Sequence, residues 1–193
     1  MYGRDGLANR LNGRYAGGMV ETLRELVEAQ KQIAEPTEWG PVNRSLELKL
    51  PLLVNGVAEE QFFFRASAIK HLPDRNVTFQ LEYHGVRLSG GTGPLCRLEW
   101  NPAKVHNNKG KGPPELRFMD QSGSHFHSFE DNWCEKNGAL LRDNLPVARP
   151  LIQDIQGFGG CLRVVGNLFR INNIDVVKTP EWVIDLGSLW QTS

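Results

Sequence analysis

Apolar positions recur at helical spacing between Gly18 and Ala34. Met19, Val20, Leu23, Leu26, Val27, Ile33 and Ala34 form one stripe, with Glu21, Arg24, Glu25, Glu28 and Lys31 opposite. Acidic residues near the start and Lys31 near the end suit the helix dipole, and Pro36 stops the run. The stripe predicts an amphipathic helix packed on the rest of the chain. Because it approaches a heptad seam, residues 18–34 are also a candidate surface for a protein partner or a homodimer. Residues 1–17, rich in Gly, Arg and Asn, read as a loose arm, so that 1–35 forms an N-terminal arm and helix.

From residue 44 the period changes to two. Leu46, Leu48 and Leu50 alternate with polar neighbours up to Pro51, which is expected to end the strand. Asn55-Gly56 marks a hairpin turn. Phe62, Phe64, Ala66 and Ala68 alternate next, then Val77, Phe79, Leu81 and Tyr83, then a short Val86–Leu88 segment, then Cys96, Leu98 and Trp100. This predicts an antiparallel meander with one face on a core and one wet. Residues 136–149 read as irregular surface. Helical spacing returns with Phe158, Cys161, Leu162, Val165, Leu168 and Phe169, despite Gly157, Gly159, Gly160 and Gly166. Such a helix either starts after Gly160 or uses a glycine to let a neighbour approach, with Asn172-Asn173 at its end, and a pair of strands is the competing reading. Residues 174–177 and 182–186 are candidate edge strands. The expected class is therefore α+β: an antiparallel meander with an N-terminal amphipathic helix and a C-terminal helix packed on it, and 44–193 forming a single domain.

Composition narrows the function classes. Twenty-two basic residues balance 22 acidic ones, which argues against a whole-surface field for duplex nucleic acid. Cys96, Cys134 and Cys161 are an odd number without CxxC spacing, so a disulfide scaffold or a cysteine zinc site is not expected and a reducing, cytoplasmic compartment is. No apolar run has membrane-spanning length, and no membrane partner is expected. Ser89-Gly90-Gly91-Thr92-Gly93-Pro94 lacks the Walker spacing and its Lys-Ser/Thr, and reads as a hairpin connection.

Candidate chemistry concentrates in Ser124–Trp133. On an extended segment His125 and His127 project from one face, about 7 Å apart at the backbone. That spacing suits an acid–base pair or two ligands of one divalent metal ion. Glu130 and Asp131 follow, able to orient an imidazole or form a turn, and His106 in the preceding loop is the obvious third partner. The same loop, 101–114, carries Lys104, Lys109 and Lys111, which with Arg97 could hold phosphate. Arg97 and Glu99 themselves read as an ion pair on a strand, and His71 and His84 sit beside turns.

The order Arg97-Leu98-Glu99-Trp100-Asn101-Pro102, His106-Asn107-Asn108 and Gly123-Ser124-His125-Phe126-His127 resembles the layout of TumE-like prokaryotic toxin–antitoxin proteins over residues 76–133. The resemblance implies a toxin–antitoxin or phage-defence setting with RNA as target. Two readings follow. One is a ribonuclease-type toxin using His125 and His127 with His106, Glu130 or Asp131, with or without a metal. The other is a non-catalytic inhibitor or adaptor in bacterium–phage conflict, binding through the N-terminal helix or a sheet edge.

Overall fold

The computed structural model describes residues 21–86, 88–90, 92–141 and 144–183. The arm and the first part of the proposed N-terminal helix lie outside the described residues. The helix that is described, α1, is only Leu23–Glu28, opened by a Thr22/Glu25 capping box. The chain then enters a short strand, β1 (Lys31–Ile33), rather than continuing the helix to Ala34. Leu23, Leu26 and Val27 are turned into the chain's own core, so this part of the stripe is not a free docking surface.

Next come β2 (Gly40–Val42), β3 (Ser45–Val54), β4 (Val57–Ile69), β5 (Val77–Tyr83) and β6 (Gly93–Trp100). Short elements follow: β7 (His106–Asn107), β8 (Asp120–Gln121), β9 (His125–His127), α2 (Phe129–Asn132), β10 (Trp133–Cys134), β11 (Ala139–Leu140) and β12 (Arg149–Pro150). A long helix, α3 (Gly157–Phe169), and a 3-10 turn, Ile174–Val176, complete the described chain. One antiparallel sheet runs in the order β1-β3-β4-β5-β6-β9-β12, with β2 also on β3. Among the described residues no helix is long and apolar enough to cross a membrane.

The two-residue period sorts the sheet into two faces. Leu48, Ala66, Phe79, Leu98 and Phe126 lie in register across five strands on the core face. Helix α3 covers that face: Phe169 meets Phe64 and Phe126, and Phe158 meets Phe79 and Trp100. Of its glycines, Gly166 allows a close approach, since a Cβ there would come within 2.7 Å of Ile174. The helix starts at Gly157 and ends on Arg170 in the left-handed conformation, not at Asn172-Asn173. Strand β3 passes Pro51 because the register shifts there, which removes the need for the missing N–H. Val86 and Leu88 form no strand, residues 174–177 form the 3-10 turn with its cap rather than an edge strand, and of the expected 182–186 strand only Trp182 and Val183 are described, neither of them in a strand.

The opposite face carries two polar rows. Lys49, Arg65, Gln80, Arg97 and His127 are cross-strand neighbours, and so are Glu47, Ser67, Thr78, Glu99 and His125. At the β6–β9 end this face is roofed by the loop carrying β7 and by residues 144–148.

Candidate metal centre

His125 and His127 leave β9 on the polar face, yet both are wholly buried. The roof explains this. Pairing of His106 with Gln121 across β7–β8 holds the His106 ring over the other two. Ring centroids lie 5.2 Å apart for His106–His125, 4.8 Å for His106–His127 and 5.1 Å for His125–His127. One nitrogen from each ring falls within 4.8 Å of the others.

Backbone carbonyls, which only accept, fix the tautomers. Gly123 O lies 2.8 Å from His125 Nδ1, and Leu145 O lies 2.6 Å from His127 Nδ1. Both Nδ1 atoms must therefore donate, which leaves Nε2 as the nitrogen of each ring able to take a proton or a metal. His106 is reversed: its Nε2 donates to Pro146 O at 3.0 Å and Asn108 Oδ1 at 3.1 Å, leaving Nδ1 free. Each ring thus has one nitrogen tied to an acceptor, the arrangement seen for histidines whose other nitrogen ligates a metal. His125 Nε2 is buried without a hydrogen-bond partner.

Charges sharpen the picture. Burial, reinforced by Arg97 and the neighbouring rings, pushes the His127 imidazole down to about 4 against the opposing pull of Glu99. Burial likewise lowers His125. Contact with the His127 ring, and then the charge of Arg97, hold the Glu99 carboxyl down to about 2. Glu99 Oε2 lies 3.5 Å from His125 Nε2, and Oε1 lies 3.6 Å from His127 Nε2. A proton on His127 Nε2 would join that pair only as an imidazolium, because Leu145 O already takes Nδ1–H. Burial and Arg97 both oppose that charge. Arg97 Nη2 is within hydrogen-bond reach of the His127 ring, 3.2 Å from Nε2 and 3.4 Å from Nδ1.

No protein-family model, curated protein or solved structure matches the chain.

Of the residues singled out from sequence, the fold brings together His106, His125, His127 and Arg97. Lys104 and Lys109 are exposed and Lys111 is half-buried, all on the loop that carries His106. The two carboxylates are elsewhere. Glu130 is exposed on α2. Asp131 accepts from Ser128 and forms a two-pronged ion pair with Arg149, at 2.6 and 2.8 Å. The carboxylate at the centre is Glu99, which the strand pattern reads as a partner of Arg97 alone. Also unforeseen is the segment Leu145–Ala148, buried rather than surface, whose carbonyls orient two rings. The apolar run Leu-Pro-Val-Ala was its signal.

Proposed function

We propose that this protein is a metal-dependent enzyme in which His106, His125 and His127 hold one divalent transition-metal ion. The observation that carries the reading is the convergence of three imidazoles, each with a ring nitrogen within 4.8 Å of the others, together with His125 Nε2, which is buried with no hydrogen-bond partner. Metal–nitrogen bonds of about 2.0–2.2 Å leave neighbouring ligands roughly 3.0–3.4 Å apart, so binding draws the rings inward by about 1 Å. Neutral imidazoles are what a metal requires. A metal-free acid–base pair needs one of the two protonated, and the burial of both disfavours that form.

A bound ion would supply Lewis acidity and a water that ionises near neutrality. Arg97 beside His127, and Lys104, Lys109 and Lys111 on the loop of His106, support a phosphate ester as substrate. This agrees with the RNA-directed setting that the TumE-like resemblance implies.

Metal analysis of the purified chain after incubation with zinc, manganese, nickel or cobalt and removal of excess should find one ion per chain. His125→Ala/His127→Ala should take up none while keeping its far-ultraviolet dichroism. Cleavage of an RNA oligomer should be lost in that variant and in chelator. A folded wild type that retains none of these ions would remove the metal reading; cleavage indifferent to chelator would restore the acid–base one.

A further inference from the structure

We propose that Glu99 is a fourth protein ligand of this ion, held in place by Arg97, so that the centre is three imidazoles and one carboxylate. The inference rests on the metal reading above and goes beyond its three histidines. Antiparallel pairing of β6 with β9 sets Glu99 directly opposite His125, and Arg97 opposite His127. Glu99 therefore leaves the sheet on the imidazole face, and its two oxygens stand 3.5 and 3.6 Å from the Nε2 atoms of His125 and His127. Those separations are close to the roughly 3.0–3.4 Å between atoms sharing a metal.

A simple Arg97–Glu99 ion pair does not account for this aim. Arg97 Nε is 3.0 Å from Glu99 Oε1, yet it is buried and makes no aligned hydrogen bond to it. The guanidinium contact is electrostatic, and the carboxylate is directed at the rings. Chemistry favours the same assignment. Three neutral imidazoles leave a divalent ion with its full charge in a closed site, whereas one carboxylate halves the charge to be desolvated. Three nitrogens and one oxygen are a donor set that manganese, iron, cobalt, nickel and zinc all accept.

Cobalt(II) titration of wild type, Glu99→Gln and His125→Ala, read by visible absorption and by affinity, tests the assignment. Glu99→Gln should weaken binding more than the 10- to 100-fold typical of an outer-shell change, and should shift the cobalt bands. Metal-free Glu99→Gln should melt below wild type, because the buried Arg97 guanidinium loses its counter-charge, so affinities are compared on protein shown by far-ultraviolet dichroism to be folded. Wild-type affinity and spectrum in Glu99→Gln, alongside loss in His125→Ala, would overturn the role of Glu99 and leave the three-histidine site standing. If Glu99→Gln does not fold, Glu99→Asp, which keeps the charge but draws the oxygens back from the rings, should show the same loss of affinity and shifted bands, and wild-type behaviour there would overturn the proposal. A wild type that binds no cobalt would overturn both.

Discussion

Asn108 and Asn132 are both wholly buried, and each commits its amide to the segment Leu145–Ala148. Asn132 Nδ2 donates to Val147 O at 2.8 Å, and its Oδ1 accepts from Val147 N at 2.9 Å. Asn108 does the same for Ala148 at 3.0 and 2.9 Å, and its Oδ1 also receives the His106 ring. The segment so clamped includes Leu145, a non-glycine residue held at φ 58°, whose carbonyl sets the His127 tautomer. Gly112 closes the clamp from the loop side, since a Cβ there would lie 2.6 Å from Val147. Asn132→Ala should therefore have two separable effects. It leaves buried backbone groups unpaired, at about 1–3 kcal/mol each, measurable as a lower urea midpoint. It also releases the His127 ring, so metal affinity should fall about 10- to 100-fold. Stability lost with affinity intact would show that the clamp holds the loop but does not aim the ring. At this scale the sequence was partly legible. His-x-His on an extended segment and His106 as the nearest partner could be read from spacing. Glu99 could not, because its place opposite His125 depends on β6 pairing with a strand that begins 25 residues after β6 ends.

Among the elements, α1 and β1 show where periodicity misleads. Ile33 fits both a helical stripe and a two-residue strand alternation, and three residues are too few to separate the two. The register with Leu52–Val54 decides for strand and turns Lys31 inward, although a helical wheel sets it on the polar face. Lys31 is wholly buried, and its ammonium caps the end of α1 by donating to Val27 O at 2.6 Å and Ala29 O at 2.7 Å. Burial lowers its pKa from 10.5 to about 8. The unfolded chain therefore binds this proton more tightly than the folded one, and stability rises with pH between about 8 and 10.5. The full span is worth up to about 3 kcal/mol. Lys31→Met lacks this term. Denaturation midpoints on either side of pH 8 should show the wild type gaining on the variant as pH increases. A constant difference would mean that Lys31 is not held in a charge-disfavouring site. By contrast α3 was legible, since its apolar spacing survived four glycines and needed only the core face of the sheet to cover.

For the whole molecule, the centre stands where a two-faced sheet becomes closed on its second side. One face is covered by α3 from alternation alone, and that could be anticipated. The roof over the other, built from the β7–β8 loop and residues 144–148, is held by side-chain amides and carbonyls, which leave no periodic trace in sequence. An ion bound by His106, His125, His127 and Glu99 would link β6, β9 and that loop at one point, and would bind the folded chain but not the unfolded one. Linkage then stabilises the fold by about 2.7 kcal/mol when free metal is 100 times its dissociation constant. For a chain of this size each kcal/mol moves the melting temperature by about 2–4 °C, so a rise of roughly 5–10 °C is expected. His125→Ala should show no rise, and a chelator should return the wild type to its metal-free value. Hydrogen exchange should slow in the loop from residue 101 to 121 more than in β3 or β4, because the ion ties that loop to strands already paired. A metal that raises melting of wild type and His125→Ala equally would be acting elsewhere on the chain, and the roof would then close the site without a metal's help.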